Sequence, residues 1–319
     1  MNPNLINIER YNPDYRNLWN EFVESSKNGT FLFHRDYMDY HADRFADSSY
    51  LFFRKGKLYA LLPACISDHT LFSHAGLTYG GLVMSEKCTA EGILEVFDVL
   101  VRNLQENGLK RMVHKPVPHI YHRLPAEEDL YALFRHNARL TARNISSAAD
   151  LNHPLKPAKD RTEALKRAAK AGVEVRASED FDKFWEILEN NLCRKYNASP
   201  THSLEEINCL HARFPQIIKL WGAYINNEMV GGTVCYITPK TIHTQYISAT
   251  DIGKKSGAID MLLIYLKDYH IPEHYPDAVW FDLGTSNENG GKVLNESLIY
   301  QKEGFGCRGI CYDTYEIDI

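Results

Sequence analysis

Trp280-Phe281-Asp282-Leu283-Gly284-Thr285-Ser286, followed a little later by Lys302-Glu303-Gly304-Phe305-Gly306, is the most informative part of the chain. Ala278 to Leu283 is a short apolar run of strand character, and Gly284 ends it. Thr285 to Gly291 is polar and rich in turn formers. Lys292 to Gln301 reads as a helix, stopped by Gly304 and Gly306. The order is strand, polar loop, helix, Gly-Phe-Gly, strand.

Working outward, the same order of elements occurs twice. Leu51 to Arg54, a turn at Gly56 and a strand over Lys57 to Ser67 read as one hairpin. Ile217 to Ile225, a turn at Asn226-Asn227 and Met229 to Ile237 read as another. An aromatic strand region follows each, around Tyr79 and around Tyr246. Each half then enters an amphipathic helix. Ala90 to Glu106 sets Ile93, Leu94, Phe97, Leu100, Val101 and Leu104 on one stripe, and Ala258 to Tyr269 does so with Ile259, Leu262, Leu263 and Leu266. A short strand closes each half, Arg111 to His114 and Val279 to Leu283.

Between the halves, His153-Pro154 and Lys156-Pro157 break regular structure. A basic helix over Lys159 to Lys170 carries Arg161, Lys166, Arg167 and Lys170 and ends at Gly172. Val173 to Arg176 reads as a strand. Asp180 to Lys195 reads as a helix built on Phe181, Phe184, Trp185, Leu188 and Leu192, with its cap near Ser178. The expectation is an α/β (α+β) chain of two domains, 1–150 and 151–319, each a mixed, mainly antiparallel sheet flanked by helices.

This arrangement resembles two GNAT acyltransferase domains in tandem, and more narrowly the Fem-like branch. Asp282 and Gly284 match an Asp-Phe-Gly-type strand end there, and Lys302, Phe305 and Gly306 match a Lys-x-x-Phe-Gly turn. Arg161 to Val175 is similar to the basic helix and Gly-Val-x-Val that open the second domain. The resemblance covers most of Asp150 to Gly309; in the first half it rests on element order. It implies an N-acyltransferase in which splayed strands free a backbone N–H to polarise the acyl carbonyl. The donor pyrophosphate would rest on backbone amides at a helix start. A carboxylate or water would take the amine proton, and a Tyr, Ser or Cys would protonate the leaving group. Acetyl-CoA or another acyl-CoA is the implied donor, with aminoacyl-tRNA as the alternative. The implied acceptor is an amine of a small molecule or a peptidoglycan precursor. A GNAT-like binding protein without catalysis is a third reading.

Carried onto this chain, the splayed strand is Thr241 to Ala249. Regular alternation puts His243, Gln245 and Ile247 on one face and Thr244, Tyr246 and Ser248 on the other. The phosphate loop is Thr250 to Ala258, with Gly253, Lys254, Lys255, Ser256, Gly257 and Ala258 as donor contacts. Ile259 stands where the motif has a small residue, which keeps the binding-protein reading open. His243 and Tyr246 are the first catalytic candidates. Asp282 is either a base or the side chain of an Asx turn with Gly284 and Ser286. Tyr300 is the candidate acid for the leaving group.

Composition narrows the classes. The chain has 319 residues, 44% hydrophobic and 24% charged, and a net charge of −5. This balance gives no global reason for nucleic-acid binding. No run approaches the ~20 apolar residues of a membrane span, and no leader is visible, so a cytoplasmic location is expected. The 7 cysteines are irregularly spaced, without Cys-x-x-Cys. Reduced thiols are expected, and no metal site. His114, His119 and His122 lie close in sequence but without a carboxylate at ligand spacing. Phosphate-loop, Gly-x-Ser-x-Gly and zinc motifs are absent.

Overall fold

The computed structural model describes residues 6–319, apart from the side chains of Lys195 and Tyr196. The chain begins β1 (Ile6–Arg10), α1 (Arg16–Ser25), α2 (Arg35–Met38), β2 (Tyr50–Arg54), β3 (Lys57–Leu62), β4 (Cys65–Ser67), β5 (Thr70–Phe72) and β6 (Val83–Met84). It continues α3 (Ala90–Glu106), β7 (Arg111–His114), α4 (Glu128–Arg135), β8 (Arg139–Asp150), α5 (Lys159–Lys170), β9 (Glu174–Ser178), α6 (Phe181–Tyr196) and α7 (Leu204–Arg213). Then come β10 (Ile218–Ile225), β11 (Glu228–Ile237), β12 (Thr241–Ala249), α8 (Asp251–Ser256), α9 (Ala258–Tyr265), α10 (Ile271–His274) and β13 (Trp280–Thr285). The last elements are β14 (Asn287–Glu288), β15 (Val293–Leu294), α11 (Glu296–Glu303) and β16 (Arg308–Asp318).

Two compact units result. Unit 1 holds the residues up to Ile145 with Asn287–Val293 and Cys311–Ile319; unit 2 holds Ser146–Ser286 with Leu294–Ile310. The units are therefore not two consecutive segments, because the end of the chain returns to unit 1.

In unit 1, β1, β2, β3 and β6 form an antiparallel sheet. A second group pairs β4 with β5, β5 in parallel with β7, and β7 with the end of β16. Helix α3 begins where Thr89 accepts a hydrogen bond from Gly92 N. Its buried stripe is Ile93, Val96, Phe97, Leu100 and Leu104, packed with Phe52, Leu62 and Met112. The expected strand from Lys57 to Ser67 is two strands, because Pro63 lacks an N–H for the ladder.

The region around Tyr79 is a loop, not a strand, and it stitches β5 to β7. Ser73 N donates to Val113 O at 2.8 Å, Lys115 N donates to Ser73 Oγ at 2.8 Å, and Gly80 N donates to Lys115 O at 2.9 Å. A Cβ at Gly80 would sit 1.6 Å from Ser73 O, so only glycine fits there.

Unit 1 also buries an uncharged imidazole. His74 is 2% exposed, and burial, reinforced by His41, Lys115 and Arg35, pushes its pKa down to about 3. The folded value lies below the ordinary 6.5, so its stabilisation is complete above pH 6.5 and is lost as pH falls toward 3. Lowering the pH from 7 to 5 is expected to remove about 2 kcal/mol through this one group. Urea midpoints at both pH values check it. His74→Asn, which tolerates the positive φ of 60°, should lose less than the parent; equal losses would exonerate His74.

In unit 2 the strands run β8 (from Ser146), β13, β12, β11, β10, β9. Only β12 and β13 are parallel; the other recorded pairs are antiparallel. The β10–β11 hairpin turns at Asn226 and Asn227, both at positive φ, as a tight primed turn requires. The expected helix from Ala258 to Tyr269 ends as an α-helix at Tyr265, loosens into a π-turn over Leu266–His270, and resumes as α10. Asp180, not Ser178, caps α6 through Lys183 N. Helix α11 starts at Glu296 under an Asn295 cap, four residues later than its composition indicates, since Val293–Leu294 pairs with Asn287–Glu288.

Candidate functional site

Unit 2 contains a gap between parallel strands. β12 and β13 pair over three positions only: Thr241↔Trp280, Ile242↔Phe281 and His243↔Asp282. Two irregularities then part them. On β12, Tyr246 faces Val234 while Thr244 faces Cys235, so Gln245 is an extra, bulged residue. On β13, Asp282 faces Ala148 while Thr285 faces Ser146, so the strand kinks across Leu283-Gly284. Gly284 sits at φ 78°, a conformation that costs other residues roughly 1–2 kcal/mol. Among the described residues, no strand pairs with β12 beyond His243 on the β13 side.

The bulge overturns the expected alternation. Partners across a ladder point to the same face, and Tyr236 and Val234 share one. His243 and Tyr246 therefore lie on the same face, with Ser248, while Thr244 and Ile247 lie on the other.

His243 and Asp282 meet at the apex of the gap, with His243 Nδ1 2.8 Å from Asp282 Oδ2. Asp282 is fully buried. Ser146 Oγ donates to its Oδ1 at 2.5 Å and Gly284 N donates at 3.1 Å. Burial alone would raise the Asp282 carboxyl; the charge and hydrogen bond of His243, with Ser146 and Gly284, outweigh it and hold the pKa down at about 2. An ionised carboxylate only accepts, so Nδ1 carries a proton facing it, and Nε2 is the nitrogen left to exchange one. The Asx turn with Gly284 and the histidine pair coexist: one oxygen serves each.

Lys302, on α11, points into the same region. Its Nζ donates to Gly284 O at 2.8 Å and Thr285 O at 2.7 Å. Burial is the dominant influence and drives its pKa down to about 8, against the opposing pull of Asp282 and Cys307. A lysine held this way is a compact cation that titrates near neutral pH.

A cavity of about 390 Å³ opens along the gap. β12 lines it with Ile247, Ser248 and Ala249, and β13 with Leu283. Leu188, Asn191 and Leu192 of α6 form one wall. Leu298, Gln301 and Lys302 of α11, with Phe305, form another. Asn191 Nδ2 donates to Ser248 Oγ and Ala249 O, both at 2.7 Å, and Lys254 reaches over to Asn191 Oδ1.

The remaining sequence candidates fall elsewhere. Tyr246 is held by the His202 backbone N–H at 3.2 Å and lies edge-on to Trp185; its hydroxyl lies 2.5 Å from His202 Nδ1. Burial raises its pKa. No hydrogen bond joins it to His243. Tyr246→Phe is expected to cost about 1 kcal/mol of stability with less than about threefold change in turnover. A thermal melt paired with rate measurements checks this, and a large rate loss at unchanged stability would return Tyr246 to the catalytic group. Tyr300 projects from α11 into solvent, 65% exposed.

The expected phosphate loop is helix α8, capped by Thr250 Oγ1 accepting from Gly253 N at 3.1 Å. Asp251 places a carboxylate in its first turn. Gly253 is small because a Cβ would meet Val230 O at 2.1 Å. Gly257, at φ 80°, lies against α5, where a Cβ would be 2.6 Å from Ala164 O. Ala258 is buried, and Ser256 Oγ donates to Gly253 O at 3.0 Å. Lys254 and Lys255 are exposed. Both glycines are thus accounted for by packing within the protein.

The basic helix α5 packs on α8 and α9. Its Arg161 turns inward to Asp260 at 2.7 Å and lies over the Phe305 ring, while Lys159, Lys166, Arg167 and Lys170 face solvent. Among the described residues, no three metal-ligating side chains cluster. In unit 1, His114 Nε2 lies 3.0 Å from Asp129, and His122 Nε2 lies 2.9 Å from Val117 O. No helix of the described residues is long and apolar enough to cross a membrane.

Ser146 and Asn191 were not among the sequence candidates. Asn191 had a signal: it is a polar residue between Leu188 and Leu192 on the apolar stripe of α6. Ser146 had none, since its importance comes from β8 lying beside β13.

No protein-family model and no curated protein matches the chain. Solved structures do. FemX aligns over 98% of this chain and 97% of its own at 10% identity, with a TM-score of 0.70. L-PGS from Bacillus licheniformis aligns over 95% and 91% at 13% identity, with a TM-score of 0.60. A tandem GNAT protein from the clavulanic acid biosynthesis pathway aligns over 98% of both chains at 13% identity, with a TM-score of 0.53. These likenesses establish a tandem GNAT fold.

Proposed function

From a tandem GNAT fold whose second unit keeps an open strand gap, we propose an N-acyltransferase that moves an acyl or aminoacyl group from an activated ester to an amine. The observation that carries this reading is the His243–Asp282 pair at the apex of the β12–β13 gap. The amine nitrogen attacks the donor carbonyl carbon, and its proton passes to His243 Nε2. The new C–N bond forms as the C–O or C–S bond to the carrier breaks. The departing oxygen or sulfur takes the proton back from the imidazolium. Lys302 and the unpaired edge of β12 supply positive charge where the oxyanion develops.

For the donor, aminoacyl-tRNA fits better than acyl-CoA. The first turn of α8 already carries Thr250 as its cap and Asp251 as a like charge to pyrophosphate. The exposed lysines of α5, with Lys254 and Lys255 beside them, suit a longer polyanion. The Fem-like sequence resemblance points the same way. Acyl-CoA remains the second reading, favoured by the strand gap itself. The acceptor class is an amine of a small molecule or of a peptidoglycan precursor, and the site of action is the cytoplasm.

Thermal melts with acetyl-CoA, CoA and a charged tRNA pool test the donor. A ligand at a hundred times its Kd adds about 2.7 kcal/mol. A shift with charged but not uncharged tRNA supports the first donor, and a shift with CoA the second. No shift with either, and no donor consumed over a panel of amines, overturns the transferase reading.

A further inference from the structure

On the reading of unit 2 as a transferase site, we infer that its cavity selects a donor carrying a bulky apolar acyl or aminoacyl group, against acetyl, glycyl and lysyl groups. Leu188, Leu192, Ile247, Ile259, Leu298 and Phe305 are among the apolar side chains that line it. Its volume of about 390 Å³ is far more than a methyl group fills. A small group would leave these walls without a partner, and each buried methylene on the donor gains about fourfold in affinity.

Charge decides the other side. The ionisable side chains on the wall are Lys254 and Lys302, and no aspartate or glutamate accompanies them. A lysyl ammonium placed there would meet no carboxylate on the wall and would be repelled by both lysines. The cavity adjoins the His243–Asp282 pair, neither member of which lines it. Leu283, on its wall, follows Asp282 directly, and Lys302 bridges the cavity to the Gly284 and Thr285 carbonyls. Asn191 and Ser248 satisfy one another, so they make no demand for a polar ligand.

Two matched series test this by binding, independently of any acceptor. One is adenosine carrying glycyl, leucyl, phenylalanyl or lysyl as a stable 3′-amide; the other is CoA carrying acetyl or isovaleryl. In the series that binds, the apolar group is expected to bind at least about tenfold more tightly than glycyl or acetyl, with lysyl weakest. Leu298 is half-buried, so Leu298→Glu should fold and should narrow or reverse the leucyl-over-lysyl preference; Leu298→Met should keep it. Equal affinity across one series would mean that the cavity holds the carrier, which overturns this inference and leaves the transferase reading standing. Tighter lysyl binding would overturn it in the same way. Absence of binding in both series would overturn it together with that reading.

Discussion

Asp282→Asn is expected to lower turnover by about a hundredfold to ten-thousandfold in a protein that still folds. The substitution conserves shape. Ser146 Oγ and Gly284 N would still find an acceptor on the amide oxygen. What changes is the histidine. A carboxylate held at a pKa of about 2 can only accept, so it fixes the proton on His243 Nδ1 and stabilises the imidazolium that forms when Nε2 takes the amine proton. An asparagine amide can donate to Nδ1 instead, which moves the ring proton to Nε2 and removes the base. Steady-state rates with a circular-dichroism melt give the answer. The double variant with His243→Gln should be little worse than either single one, because the two residues act as a unit. Full activity of Asp282→Asn would confine Asp282 to its turn with Gly284.

Lys302 is expected to give activity and stability opposite pH dependences in one window. Its folded pKa of about 8 lies below the ordinary 10.5. Below pH 8 it is charged, its cation is available to the oxyanion, and the cost of burying that charge is borne in full. As pH rises from 8 to 10.5 the folded state has released its proton while the unfolded state still binds one, so stability rises from this group. Turnover should fall across the same interval. Lys302→Arg, charged throughout, should lose the alkaline limb. Lys302→Met should cost about a hundredfold to a thousandfold in kcat at pH 7 with little loss of stability, since a buried charge is exchanged for an apolar side chain. A pH–rate profile that Lys302→Arg leaves unaltered would remove the lysine from the reaction.

Much of the fold was legible because its signals are local. Asn226-Asn227 between two apolar runs fixed a hairpin, and the stripe from Ile93 to Leu104 fixed a helix to the residue. Tyr79 misled because aromatic residues next to glycines suit a loop that plugs two strands as well as they suit a strand. His243 and Asp282 were legible as candidates. Their partnership was not: they are 39 residues apart, and only the parallel register of β12 and β13 brings them together. The phosphate-loop expectation leaned on Gly253 and Gly257, whose missing side chains make room for Val230 and Ala164. A sequence shows that a glycine is present but not what approaches it. Lys302 was legible as part of a motif, yet its burial depends on the carbonyls of a kink that no local pattern announces.

The extra residue at Gln245 makes this site a matter of count as well as identity. Which way each side chain of β12 faces is decided by an odd number of steps between His243 and Ser248 being absorbed as if it were even. Exchanging Gln245 for another polar residue should therefore be tolerated, and deleting it would restore an unbroken ladder in which His243, Tyr246 and Ser248 still share one face, but without the local bend that a bulge gives the strand. The deletion variant is expected to be the more regular protein, with β12 straighter and its gap to β13 narrowed. Aligning this chain with a relative whose strand is unbroken needs a one-residue gap at this point, because an ungapped alignment would match residues of opposite faces along the rest of the strand.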